Sequence, residues 1–370
     1  MDQIKRIGTS IIAFAVLVTL AGCTSFGSSI LTEERINYNV ALQITNDEQL
    51  LLNLVRLRYL DSTAFIEVSS ITAQSSFQSS LQGGRVPLPS IAPMFGFTGN
   101  LGYSTQPTLV YIPLQGEDFI RRLMSPLTLE RLVLLYHSGW DIKRLFSLCL
   151  NEINEIHNIR GVPHPDSAPS REIQKFARIV ELLGKLDARS GLDLLMETQP
   201  ESATPQYFLR ILLNVLETSE AQSLAQLLDL QPNQTYYRLA YPSIQTEKAP
   251  SRDTISVQPR SLLGIMSFLS QWVDMPTHDQ ENGRMDEGSP YETSQSPDGG
   301  KSPDFPFSIK SQSERPNQAA VAVRYRNNWF FIDDADLGSK GTFSLLTQIF
   351  ALQASAISVT PPVLTLPIGQ

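Results

Sequence analysis

Apolar and polar residues alternate with a period of two along 71–81 and again along 95–104. Ile71, Ala73, Ser75, Phe77, Ser79 and Leu81 interleave with Thr72, Gln74, Ser76, Gln78 and Ser80. Beyond Gly83-Gly84, Phe95, Phe97, Gly99, Leu101 and Tyr103 interleave with Gly96, Thr98, Asn100, Gly102 and Ser104. Successive strand residues face opposite sides, so the spacing predicts a long antiparallel hairpin over about 65–114, one face mainly apolar and the other small, polar and uncharged. Such a hairpin has two uses. Its apolar face can cover a core while the polar face meets water. Alternatively the apolar face meets lipid, since each alternating run is near the ~9–11 residues of a tilted transmembrane strand. One hairpin cannot span alone, because its edges would be unsatisfied in hydrocarbon. The second use therefore demands a ring of copies, with the run Val86–Met94 as an apolar tip. On either reading Ile71, Phe77, Leu81, Phe95, Phe97, Leu101 and Tyr103 are the candidate membrane or interface residues.

Elsewhere the helical period dominates. Thr45-Asn46-Asp47-Glu48 has the form of a capping box, opening a helix through Leu50, Leu51, Leu54 and Val55 that ends near Tyr59. Residues 117–159 and 170–184 read as amphipathic helices, with starts at Gly116-Glu117-Asp118, Ser125-Pro126, Trp140-Asp141 and Ser170-Arg171-Glu172. The segment 205–230 also reads as helical, and Thr235, Tyr237, Leu239 and Tyr241 alternate as in a strand. Arg260–Val273 is a further helix. Val321, Val323 and Tyr325 pair with Trp329 and Phe331 across Arg326-Asn327-Asn328, and a helix over 342–354 precedes an extended tail, Pro361 to Gly369. From Asp274 to Gln318 the chain shifts to Pro, Ser, Gly, Asp and Glu, a composition that predicts a flexible insertion. The expected fold class is α+β, with helices packed on short antiparallel sheets. The expected organisation is a signal peptide (1–22), a lipidated tether (23–32), a main domain (33–273) holding the hairpin, the insertion (274–318) and a C-terminal hairpin, helix and tail (319–370).

The N-terminus changes the picture. Lys5 and Arg6 precede an apolar run from Ile11 to Leu20 that is too short for a mature transmembrane helix and suits a signal peptide. Leu20-Ala21-Gly22-Cys23 resembles the lipobox of bacterial lipoproteins, which implies cleavage before Cys23 and acylation of that residue. Several acyl chains hold stably, since each buried CH2 is worth ~0.8 kcal/mol. Thr24, rather than Asp, follows the cysteine, and in enteric-type sorting that favours the outer membrane. The net charge of −8, without a Lys/Arg cluster, argues against nucleic-acid binding. The chain has 2 cysteines, so with Cys23 lipidated no intrachain disulfide is possible. Cys149 lies on the apolar stripe Ile142, Leu145, Phe146, Cys149, Leu150, Ile153 and reads as a buried thiol.

Charge is also absent where it matters most. The stretch 68–116 carries Arg85 as its one charged residue, in a chain that is 18% charged. No Gly-x-Ser-x-Gly, Walker loop, Gly-x-Gly-x-x-Gly or His-Glu-x-x-His occurs, and His137, His157, His164 and His278 lack ligand-like spacing. Asp333-Asp334-Ala335-Asp336-Leu337-Gly338-Ser339 misses the calcium-loop pattern, having its glycine one place early and Leu345 where a bidentate Glu belongs. It reads as a strand-to-helix turn that caps the helix. Ser138-Gly139-Trp140-Asp141 reads as a helix stop, an aromatic anchor and a new start, while Arg56 and Arg58 either pair with acids or line a groove. No cofactor, metal or catalytic residue is expected.

The segments Asn46-Asp-Glu-Gln-Leu-Leu-Leu-Asn-Leu-Val-Arg-Leu-Arg-Tyr59, Gln106-Pro-Thr-Leu-Val-Tyr-Ile-Pro-Leu-Gln-Gly116, Ser138-Gly-Trp140 and Pro362-Val-Leu-Thr-Leu-Pro367 resemble an uncharacterised family of Gram-negative envelope lipoproteins. The resemblance covers most of the chain outside 274–318. It implies an envelope location and a shared fold, and it brings no activity and no catalytic residues. The expected role is a structural or interaction component that faces the periplasm. Its membrane contact is the N-terminal lipid, and its partner is an envelope protein or a second copy. The alternatives are a subunit of an oligomeric outer-membrane pore or export assembly contributing the 65–114 hairpin, and a periplasmic hydrolase.

Overall fold

Residues 23–86, 94–158, 171–198, 204–242, 251–281 and 305–354 are described by the computed structural model, and they form an α+β fold. Contacts divide the chain into two units, one of Met1–Ser62 with Pro126–Ile349, the other of Thr63–Ser125 with Phe350–Gln370.

Among the described residues, the first element of the first unit is helix α1, Cys23–Arg58. Leu50, Leu51, Leu54 and Val55 are buried at helical spacing, as predicted. The helix, however, starts far earlier than the capping box suggests. Thr45 lies inside it, and its Oγ1 donates back to the carbonyls of Ala41 and Leu42, each at 3.0 Å. A hydroxyl in mid-helix bonds the preceding turn instead of capping, and no proline upstream stops the helix. The expected tether 23–32 is therefore helical in backbone. Residues 1–22, the expected signal peptide, lie outside the described residues.

The second unit contains strands β1 (Phe65–Val86) and β2 (Met94–Leu114) and helix α2 (Glu117–Met124). The chain then returns to the first unit with α3 (Leu129–His137), capped by Thr128 Oγ1 accepting from Arg131 N at 3.3 Å. Helix α4 (Ile142–Cys149) is capped by Asp141, whose carboxylate accepts from Lys143 N at 3.3 Å and Arg144 N at 3.0 Å. The expected long helix to 159 ends there. Residues 150–157 form β3 (Leu150–Ile153) and β4 (Ile156–His157), joined through Asn154 and Glu155 at φ 45 and 63. Two consecutive left-handed residues close a tight hairpin that a helix cannot accommodate.

Helix α5 (Arg171–Asp187) is followed by β5 (Leu192–Glu197) and β6 (Gln206–Ile211). Helix α6 (Ser219–Leu227), β7 (Tyr236–Ala240) and β8 (Thr254–Pro259) come next. The helix predicted for 205–230 is thus half strand, because Tyr207–Ile211 pairs with Leu192–Met196. One six-stranded sheet results, in the order β4-β3-β8-β7-β6-β5, with β7 and β8 parallel and the other neighbours antiparallel. Helix α5 packs against α4 and α6.

The C-terminal end of α4 is held by a buried cation. Arg260, 7% exposed, donates from Nη1 to the carbonyls of Ser147 at 3.1 Å and Leu148 at 2.9 Å. Asn158 Nδ2 donates to Ser147 O and Leu150 O, each at 2.9 Å. These carbonyls form the negative end of the helix, where a cation is favourable. The guanidinium lies 4.2 Å from the Phe268 ring centroid, and burial pushes its pKa down to about 10, which leaves it charged at neutral pH. Cys149, next to it, is buried as expected, and desolvation pushes the thiol up to about 12.

Helix α7 (Leu262–Ser270) and the short α8 (Thr277–Glu281) lead to a three-stranded sheet of β9 (Lys310–Gln312), β10 (Ala319–Tyr325) and β11 (Asn328–Asp333), ordered β10-β11-β9. Helix α1 packs against β10 and α7. The predicted β10–β11 hairpin is present but one residue out of the expected register. Val321, Val323 and Tyr325 are opposite Ile332, Phe330 and Asn328 instead of Trp329 and Phe331. The reason is that the turn is the two residues Arg326 and Asn327, at φ 45 and 69, and Asn328 already belongs to the strand. That is the primed two-residue turn whose twist matches the strands. The expected insertion 274–318 needs correction at both ends. Met275, Phe307 and Ile309 are buried, β9 pairs with β11, and Val273 bridges Ile309. Residues 282–304 lie outside the described residues, as does the expected tail 361–369. Helix α9 (Leu337–Ala354) ends the described chain.

Candidate functional site

Strands β1 and β2, of 22 and 21 residues, make a two-stranded antiparallel sheet on their own. At ~3.4 Å per residue the ribbon is roughly 70 Å long. No third strand joins it among the described residues. Each strand therefore keeps one edge of backbone N–H and C=O groups outside the ladder.

The register assigns the candidate residues to one face. Directly opposed residues of an antiparallel pair share a face. From Ser70 to Val86 the register is unbroken, pairing Ile71 with Leu109, Phe77 with Tyr103, Ser79 with Leu101, Leu81 with Gly99, Gly83 with Phe97 and Arg85 with Phe95. All seven predicted residues, Ile71, Phe77, Leu81, Phe95, Phe97, Leu101 and Tyr103, thus fall in one register class. The other class pairs Thr72 with Thr108, Gln74 with Gln106, Ser76 with Ser104, Gln78 with Gly102, Ser80 with Asn100 and Gln82 with Thr98. Of that class Ser80, Asn100, Gly102, Ser104 and Thr108 are exposed. The expected tip is described only at Val86 and Met94, and residues 87–93 lie outside the described residues.

At the root the alternation breaks. A register shift between Val68 and Ser70 inserts one residue into β1, a bulge that increases local twist. Around it Leu109, Val110, Tyr111 and Ile112 are consecutive and all exposed, with Ile66 also 48% exposed. Consecutive strand residues occupy both faces, so the root is apolar on both sides. These residues do not alternate, so period two does not single them out; their mark in the sequence is the unbroken run Leu109–Ile112 itself. The expectation that the hairpin covers a core holds at Phe65, which is 4% exposed. Its ring stacks on Phe350 at 5.2 Å and meets Phe119 edge-on at 5.7 Å, all within the second unit.

Cys23, the expected lipidation site, is the first residue of α1. The other singled-out groups have structural partners. Asp336 accepts from Ser339 N at 3.0 Å and Ser339 Oγ at 2.6 Å, capping α9 as predicted. Trp140 Nε1 donates to Gln348 Oε1 at 2.7 Å, and His137 Nε2 lies 2.7 Å from Leu194 O. Arg56 donates to Asn53 Oδ1 at 3.4 Å, and Arg58 is buried. The cluster at the end of α1 escaped sequence reasoning, because its members are far apart in the chain. Tyr59 donates to Asp279 Oδ2 at 2.7 Å, and both are buried. Asp61 accepts from Tyr325 Oη and, at 2.8 Å, from Arg326, whose guanidinium lies 4.5 Å from the Tyr59 ring centroid. Burial and the Asp279 acceptor hold the Tyr59 hydroxyl well above its ordinary pKa. This network ties α1 to the β10–β11 turn and to α8.

Among the described residues no group of His, Cys, Asp and Glu could hold a metal ion, and no helix is long and apolar enough to cross a membrane. No protein-family model, curated protein or solved structure matches the chain.

Proposed function

We propose that this protein is a lipid-anchored subunit of an oligomeric outer-membrane assembly, in which β1–β2 hairpins from successive copies pair edge to edge into a barrel. The observation that carries this is the ribbon itself. A two-stranded sheet is marginal in water without a third strand or a packed face, and this one is about twice as long as a membrane-crossing strand requires. Its two register classes supply an apolar outside and a polar inside, the alternation of a lipid-embedded barrel. Its open edges need partners in hydrocarbon, and closure in a ring provides them without leaving an end. The second copy is favoured over a foreign protein because each hairpin carries both a β1 edge and a β2 edge, so one repeated contact closes the ring.

At two strands per copy, the smallest barrels of about eight strands need four copies, and a water-filled lumen of about sixteen strands needs eight. Cys23 acylation holds each copy at the membrane, facing the periplasm, and the reading gives the protein no catalytic role. The test is the native mass and particle shape of the detergent-extracted, lipidated protein. A ring of several copies is expected. A monomer, or a small complex with a different protein, overturns the proposal and returns the ribbon to a role as a partner-binding arm. Phe77→Arg gives an independent check, because an Arg facing lipid at mid-bilayer costs about 2–4 kcal/mol per strand; membrane-embedded rings should be lost while the first unit keeps its fold.

A further inference from the structure

Granted the barrel, the polar register class lines its lumen, and the charge along that lining decides what passes. We propose that the lumen is an uncharged passage lined by amides and hydroxyls, conducting cations and anions with little preference and suited to neutral hydrophilic solutes. The proposal rests on the reading of the hairpin as a barrel element and adds what that barrel admits.

In a ring of copies every lumen position recurs once per subunit. A single charged residue would become a ring of like charges, and rings of Asp/Glu or Lys/Arg are what make a pore select by sign. Lumens lined by one sign of charge also focus the field and concentrate counter-ions. From Thr72 to Gly84 and from Gly96 to Thr108 the polar class carries no such residue; Glu67, opposite Ile112, lies below the bulge at the root, outside that stretch. The class that holds Gln74, Gln78, Gln82, Asn100 and Gln106 has only Ser, Thr and Gly between its amides, from Thr72 to Gly84 and from Gly96 to Thr108. Arg85 is opposite Phe95, in the apolar class, at the far end of the ladder. The exposed Ser80, Asn100 and Ser104 are consistent with a wetted face. Amides and hydroxyls both donate and accept, so they can replace the hydration of a neutral polyhydroxylated solute without favouring either ion.

The test is the reversal potential of the detergent-extracted oligomer in a planar bilayer, under a tenfold KCl gradient. A value close to zero is expected, far from the ~59 mV that full selectivity for one ion would give. Gln78→Glu should drive it strongly toward the cation limit and Gln78→Lys toward the anion limit, because each adds one charge per copy at mid-lumen. Strong selectivity in the unaltered protein overturns the uncharged-lumen inference and leaves the barrel standing. Conductance that ignores both Gln78 variants removes that register class from the lumen and overturns the inference. An oligomer that never conducts overturns the barrel reading itself.

Discussion

Arg260 and Asn158 share one acceptor, and that sharing makes a quantitative prediction. Arg260 donates to Ser147 O and Leu148 O, while Asn158 donates to Ser147 O and Leu150 O. Arg260→Met takes the guanidinium donor from Leu148 O, and a buried carbonyl without its donor costs about 1–3 kcal/mol. Two effects soften the loss. The methionine fills part of the space that the guanidinium occupies beside the Phe268 ring, and removing a buried cation relieves its desolvation. A net destabilisation of about 1–2 kcal/mol is expected. Asn158→Ala removes an amide donor from Leu150 O and should cost a similar ~1–2 kcal/mol. In neither single variant does Ser147 O lose both donors. In the double variant it does, and a further ~1–3 kcal/mol for that abandoned carbonyl appears only there.

The assay is guanidinium unfolding of the detergent-extracted protein, followed by far-UV circular dichroism and by tryptophan fluorescence, with the double-mutant cycle evaluated at equal m-value. The double variant should fall below the sum of the singles by at least ~1 kcal/mol. Additivity within ~0.5 kcal/mol would refute the reasoning, since it would mean that Ser147 O is not the shared acceptor.

Two further outcomes follow from the packing. A Cβ added at Gly191 would meet the methyls of Val215 and stand 2.9 Å from Leu186 O, so Gly191→Ala should cost about 1–3 kcal/mol by overpacking. At Gly341 the obstruction is the flexible Arg144 guanidinium, and Gly341→Ala should cost less than ~1 kcal/mol; the order of the two midpoints checks this. Tyr59 and Tyr136 donate to Asp279 and Asp187, which together with burial raises both pKa values. Folded and unfolded chains alike keep these protons below pH ~10; above it the unfolded chain releases them while the folded chain holds them, so stability falls as pH rises. In an alkaline titration read at 295 nm, ionisation of these tyrosines should coincide with loss of circular dichroism. Titration of every tyrosine near pH 10 with the fold intact would count against it.

Local patterns were the legible part of this fold. The β1–β2 ribbon and the β10–β11 turn were readable because period-two alternation and an Arg-Asn turn act within a few residues of sequence. Residues 150–157 misled because Leu150 and Ile153 continue the helical stripe of α4, and only two left-handed residues, Asn154 and Glu155, break it. Tyr207–Ile211 is a short, mainly apolar run broken only by Arg210, and such short runs do not distinguish a strand from a buried helix. The capping box at Thr45 is a true side-chain pattern without a true helix start, since nothing before it ends the helix. The Tyr59–Asp279 and Arg260–Leu148 contacts, separated by 220 and 112 residues, belong to tertiary packing and leave no local mark.

What the ribbon lacks is as directive as what it contains. Proteins in water protect a sheet edge with lysines, prolines or inward charges. Here β1 carries only Glu67 and Arg85, one near each end, and β2 carries no charge at all. Proline, which cannot donate to a ladder, occurs in β2 only at Pro107 and Pro113, toward the root. From Met94 to Gln106 the β2 edge has every donor it needs, over a length that exceeds the ~9–11 residues of a tilted crossing. The protected root and the unprotected outer part divide the ribbon at the level of Ala73 and Pro107, which are opposite each other. Edge pairing between copies should therefore run from that level to the tip. Below it, contact between neighbouring copies passes to side chains, where Ile66 and Leu109–Ile112 stand exposed on both faces. Cysteine pairs placed across the copy-to-copy edge should cross-link beyond Ala73 and fail below it, and a uniform pattern of cross-links along the ribbon would break the link between proline placement and assembly.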